Sequence, residues 1–197
     1  MILGAGESRR MRGRDKLLEA VDGVPQIRRI ACAALKTNWP VIVALPAKAN
    51  LRAAALDALD VSVASVAKPQ EGLAISLRAG LRAHLALAAQ ENRTAGGLMI
   101  IPADMPELEQ DDLEAVMSSY RRNPQLIHCG SSGDTRGHPV ILPPRLFQAL
   151  AMLRGDRGAA EILRNNPEDI CLTPLLGMHA LRDLDTPEEW ASWRAQR

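Results

Sequence analysis

Three short apolar runs, at residues 40–45, 61–66 and 98–101, constrain this chain more than any other feature. Each is bounded by chain breakers and is too brief for a helix of ordinary length. Such runs are strands buried on both faces, the mark of a parallel sheet covered by helices. The segments around them carry helical stripes. Ile27, Ile30, Ala31, Ala34 and Leu35 recur at helical spacing behind Pro25, a good helix opener. Leu73, Leu77, Leu81, Leu85 and Ala88 form a second stripe, opened by Glu71 and Gly72. Asp111 and Asp112 begin a third helix that runs through Tyr120, their charge suiting the positive end of its dipole. Strand and helix alternating at this spacing build right-handed βαβ units. The expected fold is therefore α/β, a three-layer α/β/α sandwich on a mostly parallel, Rossmann-like sheet, with ligands at the carboxyl ends of the strands.

After residue 101 the pattern loosens. Strands are expected at 126–129, 139–142 and 170–173, and helices at 144–153, 159–163 and 187–195. The first strand has only residues 1–3 to work with, which leads to the expectation that further residues precede Met1. With no repeat, low-complexity tract or linker, residues 1–197 read as a single domain. A hydrophobic fraction of 47% with only 3% aromatic gives an aliphatic core, which favours layered helices and strands over an aromatic-rich barrel. A net charge of +1 supplies no field for nucleic acid or an anionic membrane surface. No apolar run approaches the ~20 residues needed to span a bilayer, and no basic segment leads an apolar stretch at the start, so the expected location is the cytoplasm. Cys32, Cys129 and Cys171 lack any C-x-x-C spacing and read as buried thiols rather than as a disulfide framework or zinc ligands.

Three constellations carry chemistry. The first is Leu3-Gly4-Ala5-Gly6-Glu7-Ser8-Arg9-Arg10-Met11, followed by Lys16. Glycines directly after a strand let backbone approach a ligand, and successive amides there form an anion-binding concavity. Arg10 and Lys16 add fixed positive charge for phosphates, and Ser8 a hydroxyl donor. It is neither a Walker A loop nor a complete dinucleotide fingerprint. The second is Pro102-Ala103-Asp104-Met105-Pro106, where two prolines stiffen a turn at the end of a central strand and aim Asp104 into the ligand crevice. The third is Asp183-Leu184-Asp185-Thr186-Pro187-Glu188-Glu189. Asp185-Thr186 before Pro187 is a helix N-cap signal, and alternation puts Asp183 and Asp185 on one side of an extended segment, where one of them completes a magnesium site with Asp104.

In these residues the chain resembles the molybdenum cofactor nucleotidyltransferase family, in its cytidylyltransferase-like branch, within the glycosyltransferase-A-like nucleotidyltransferases. That family carries L-A-[AG]-G-x-S-x-R-M-G-x-x-x-K, P-A-D-M-P and D-x-D-T-P-E-D, and the three matches fall in order from Met1 to Glu189. Pro69-Gln70-Glu71-Gly72-Leu73-Ala74-Ile75-Ser76-Leu77 resembles its base-contacting segment. Gly137-His138-Pro139-Val140 and Gly155-Asp156-Arg157-Gly158-Ala159 are similar to its acceptor-side G-H-P-V and G-D-x-G-A. The chain departs at Gly4 and Arg12, usually Ala and Gly, and at Ala160, where the usual arginine would offer a phosphate contact.

The resemblance implies a fold of the nucleotide-diphospho-sugar transferase type and transfer of a nucleoside monophosphate, CMP preferred, from CTP to the phosphate of molybdopterin, with release of pyrophosphate. It implies Arg10, Lys16 and Asp104 as catalytic, and Leu3, Gly4, Ala5, Gly6, Ser8, Lys16, Pro69, Gly72, Ser76 and Asp104 as nucleotide-binding. It further implies His138 and Asp156 at the acceptor, and Mg2+ held by Asp104 and Asp185, with a client molybdenum enzyme as partner. Ala5 and the 71–77 segment point to CTP, whereas Asp15 before Lys16 points to GTP. A sugar- or polyol-phosphate nucleotidyltransferase and a non-catalytic nucleotide-binding maturation factor share the same loop and carboxylates and stay open.

Overall fold

The computed structural model describes residues 1–156 and 158–197. Its elements run β1 (Ile2–Leu3), β2 (Ala20–Val21), β3 (Val24–Pro25), α1 (Gln26–Leu35), β4 (Val41–Pro46), α2 (Asn50–Ala54), β5 (Val61–Val66) and α3 (Leu73–Gln90). They continue with β6 (Leu98–Pro102), α4 (Gln110–Arg122), β7 (Ile127–Ser132), β8 (Thr135–Leu142), α5 (Phe147–Met152), α6 (Ala160–Arg164), β9 (Ile170–Pro174) and α7 (Pro187–Ala195). Seven strands make one sheet in the order β5-β4-β1-β6-β8-β7-β9, and among the described residues only β8 runs against the others. The expected mostly parallel α/β sandwich is the fold observed.

Side chains of each strand alternate between two helical layers. In β6, Met99 and Ile101 pack with Ile27 and Ile30 of α1 and Leu113 and Val116 of α4. Leu98 and Ile100 face the other way, against Leu77 and Leu81 of α3 and Leu150 of α5. The two-residue β1 holds the centre because it pairs on both sides, Ile2 with Val43 and with Ile101. Gly80 lets α3 lie close over that point, since an added Cβ would fall 1.6 Å from the Met1 sulfur. Among the described residues no helix is long and apolar enough to cross a membrane.

Two features have no counterpart in the sequence reading. The hairpin of β2 and β3 turns at Asp22-Gly23, whose φ angles of 51° and 79° suit a primed two-residue turn. Helix α2 buries only Arg52 and leaves Leu51 72% exposed, so it shows no apolar stripe. Strands β7 and β8 also run longer than expected, because Ser131 is buried although polar and the hairpin closes at Ser132–Thr135.

Candidate active site

The loop after β1 is fastened from below. The Gly4 amide donates to Ala44 O at 2.9 Å, and an added Cβ would sit 3.0 Å from Leu45 Cδ2, so the loop packs closely on β4 there. Nothing crowds Gly6. From α2 the buried Arg52 reaches under the loop, donating to the carbonyls of Gly4 at 2.6 Å and Gly6 at 2.9 Å. Its other nitrogens grip Asp15 at 2.6 and 2.9 Å. The amides of Ala5, Gly6, Glu7 and Ser8 have no hydrogen-bond partner among the described residues, as an anion-binding concavity requires. The Ser8 hydroxyl accepts from the Lys16 amide at 3.0 Å and donates to Asp15 at 3.1 Å, bracing the turn that carries Lys16.

Opposite the loop three carboxylates gather. Asp104 follows β6, and its carbonyl accepts from the Leu184 amide at 3.1 Å, which draws the late segment beside it. Leu184 is buried with Met11, Val21, Trp190 and Trp193. Its neighbours Asp183 and Asp185 thereby turn the other way, and one carboxylate oxygen from each of Asp104, Asp183 and Asp185 lies within 4.8 Å of the others. Thr186 is the residue that caps α7, accepting from the Glu189 amide at 3.2 Å, so Asp185 is spared for the cluster. Oxygen donors of this charge and spacing fit a hard divalent cation.

Lys16 points its ammonium between Asp104 and Asp185, 2.6 Å from the latter, and Arg10 pairs with Asp185. Burial lowers the Lys16 pKa, but the two carboxylates outweigh it and hold the ammonium above its usual range. Partial burial, then the nearby Asp104 and Asp185 charges, push the Asp183 carboxyl up.

A cavity of about 500 Å³ joins these parts, lined by Leu3, Ala5, Gly6, Ser76, Asp104 and Asp183 together with Arg136 and His138, the imidazole lying near enough to Asp104 to feel its charge. Leu73, Leu77, Ile100, Val140 and Leu163 form an apolar wall, and Ala160 lies in it. The His138 Nδ1 is buried without a partner among the described residues, and burial lowers its pKa, so the ring is neutral near neutral pH. Its amide donates to Ala180 O at 2.8 Å, and its peptide bond to Pro139 is cis.

A second cleft of about 320 Å³ shares Ala5, Gly6 and Ser76 with the first and adds Pro69, Gly72 and Asp156. Gly72, at φ 102°, leaves no room for a Cβ, which would fall 2.5 Å from Gly155 C and Asp156 Oδ1. Asp156, expected at the acceptor, is thus placed among the residues expected at the base; Arg157 of the same motif lies outside the described residues. A separate cavity of about 170 Å³, lined by Trp39, Gly97 and Tyr120, lies at the amino ends of the strands, away from the carboxylates. Of the sequence candidates, Leu3, Gly4, Ala5, Gly6, Arg10, Lys16, Asp104, His138 and Asp185 meet around one crevice. Arg52, Arg136 and the firm place of Asp183 were not foreseen, and for Arg52 its helix carries no pattern that would have shown it.

Amides left open on one wall and carboxylates massed on the other suit a triphosphate with its divalent counter-ion, and the enzyme so defined is a nucleotidyltransferase. The chain belongs to the family of the MobA-like NTP transferase domain, whose model matches residues 1–170. No curated protein matches it. Among solved structures it is similar to Rv0371c from Mycobacterium tuberculosis H37Rv, at 25% identity and TM-score 0.77, over 98% of this chain and 95% of that one. That protein in complex with manganese aligns at 21% identity, TM-score 0.77, over 97% and 94% of the two chains. A nucleotidyl transferase from Methanothermobacter thermautotroptrophicus aligns at 17% identity, TM-score 0.79, over 99% and 94%. Molybdopterin-guanine dinucleotide biosynthesis protein A from Archaeoglobus fulgidus aligns at 15% identity, TM-score 0.65, over 100% and 98%.

Proposed function

We propose that this nucleotidyltransferase transfers CMP from CTP to the phosphate of molybdopterin, releases pyrophosphate, and hands the product to a client molybdenum enzyme. The observation that carries this reading is the single cavity of about 500 Å³ whose lining combines the glycine loop and Asp104 with apolar side chains, His138 and Arg136. An apolar wall suits a flat heterocycle better than a polyol. Arg136, which no carboxylate engages among the described residues, takes the acceptor phosphate in place of the arginine absent at Ala160. Pro69, Gly72 and Ser76 flank the base, and neutral His138 offers the acceptor a hydrogen bond rather than a charge.

The open amides, Arg10 and Lys16 hold the triphosphate in line with the acceptor. An oxygen of the acceptor phosphate attacks the α-phosphorus, the bond from that phosphorus to its bridging oxygen breaks, and pyrophosphate leaves. A phosphate monoester is already ionised near neutral pH, so no strong base is needed and positioning supplies the rate. Asp104 and Asp185, with Asp183 beside them, are the residues to hold Mg2+, which when bound neutralises charge on the phosphates. The manganese complex of Rv0371c supports a divalent cation, and the likeness to the Archaeoglobus fulgidus molybdopterin-guanine dinucleotide biosynthesis protein supports the acceptor while favouring GTP as the second reading.

Pyrophosphate release from CTP and from GTP, with molybdopterin or a panel of sugar phosphates, tests the proposal. The expected result is turnover with CTP and molybdopterin; preference for GTP overturns the base, and preference for a sugar phosphate overturns the acceptor. Folded Asp104→Ala is expected to lose roughly a hundredfold to a thousandfold in turnover. Full activity in that variant would remove Asp104 from the site.

A further inference from the structure

Arg52 is the one buried residue of α2, and it is only 7% exposed. Burying a guanidinium is costly unless its donors are paired, and here they are spent on four groups, the longest contact being the 3.5 Å bond to the Ser8 hydroxyl. Two bonds go to the carbonyls of Gly4 and Gly6, at 2.6 and 2.9 Å. Two more go to Asp15, at 2.6 and 2.9 Å. Asp15 in turn accepts from the Leu17 amide at 3.0 Å and from Ser8, and so fixes the turn that carries Lys16. One side chain therefore ties together the glycine loop and the base of the catalytic lysine.

The consequence for the loop follows from peptide geometry. In a planar trans peptide the N–H points opposite to the C=O. Pulling the Gly4 and Gly6 carbonyls down toward Arg52 turns the amides of Ala5 and Glu7 to the opposite side, and both lack a partner among the described residues. Released from that hold, either peptide can rotate and present a carbonyl oxygen to the triphosphate. The Arg52–Asp15 pair is neutral overall, so it shapes the loop without adding a field of its own.

We infer that Arg52 is a positioning residue for the triphosphate, acting through the backbone of residues 4–7 and never touching the nucleotide. The inference rests on the nucleotidyltransferase reading of this loop. A lysine at the same place offers one compact donor centre where the fork spans two carbonyls and a carboxylate, so it does not substitute.

The test compares wild type, Arg52→Lys and Arg52→Met by calorimetric titration with CTP and with CMP, alongside thermal unfolding. The expected result is a loss of roughly tenfold to a hundredfold in CTP affinity with a change below about threefold for CMP, the size of one or two charge-assisted hydrogen bonds. Equal losses for both nucleotides, or none, overturn the assignment. Because the buried pair also supports folding, a second measurement uses the wild-type protein labelled with nitrogen-15 and titrated with inorganic tripolyphosphate. The Ala5 and Glu7 amide resonances are expected to shift; if Lys16 responds and they do not, the assignment fails while the nucleotidyltransferase reading survives. Wild type that binds neither CTP nor tripolyphosphate sinks both.

Discussion

Leu184 decides where its neighbours point. Buried beside Met11 and the two tryptophans of α7, it leaves Asp183 and Asp185 facing Asp104. Strand-like alternation made that pairing legible in the sequence, but which aspartate joined Asp104 depended on contacts far along the chain, and the structure gathers both. The crowding has a cost. An acid whose pKa rises on folding binds more protons folded than unfolded, so stability falls as pH climbs from the ordinary carboxylate range through the raised value. Asp183→Asn removes that loss. In chelator near neutral pH it is expected to raise Tm by on the order of a degree or two, discounted because the side chain is exposed. The same variant is expected to bind Mg2+ or Mn2+ more weakly by calorimetry; unchanged affinity would take Asp183 out of the cation's shell.

Elements with their own chemical punctuation were readable, and those defined by a single contact were not. The N-cap at the start of α7 was marked by Thr186-Pro187, and the reciprocal bonds of Thr186 and Glu189 are present. Helix α2 has no stripe to betray it, because Arg52 is the one residue it buries. The hairpin of β2 and β3 did carry a signal, Asp22-Gly23, but two-residue strands have no period to support it. Loss of a cap oxygen typically costs about 1 kcal/mol. Thr186→Ala is therefore expected to lower Tm by roughly 2–4 °C for a domain of this size. It should also weaken divalent-cation binding, since Asp185 shares the capped turn, its backbone N–H donating to the Glu189 carboxylate at 2.7 Å. A drop in Tm with unaltered cation affinity would separate the cap from the site.

Across the whole molecule, the parallel strands β4 and β6 announced themselves as buried apolar runs, and although β5, at the sheet edge, is not buried on both faces as expected and leaves Val63 54% exposed, the α/β class could be read directly. The order β5-β4-β1-β6-β8-β7-β9 and the reversed β8 could not, because pairing partners are chosen by packing between distant segments. The crevice is built from such segments, with Ala5, Ser76, Asp104 and His138 in its lining and Lys16 and Asp185 paired beside it. Occupying it should tie the fold together. At a hundred times its Kd a ligand adds about 2.7 kcal/mol to stability. For a domain of this size, CTP with Mg2+ is expected to raise Tm by roughly 5–10 °C, more than either alone, in differential scanning calorimetry. Equal shifts with and without the cation would argue against a shared site.

Asp183 and Asp185 reach the crevice only when Leu184, Trp190 and Trp193 seat themselves against Met11. On the ribosome, the glycine loop and most of the sheet emerge long before that seat can form. A growing polypeptide therefore cannot assemble the three-carboxylate cluster until α7 has cleared the exit tunnel and docked.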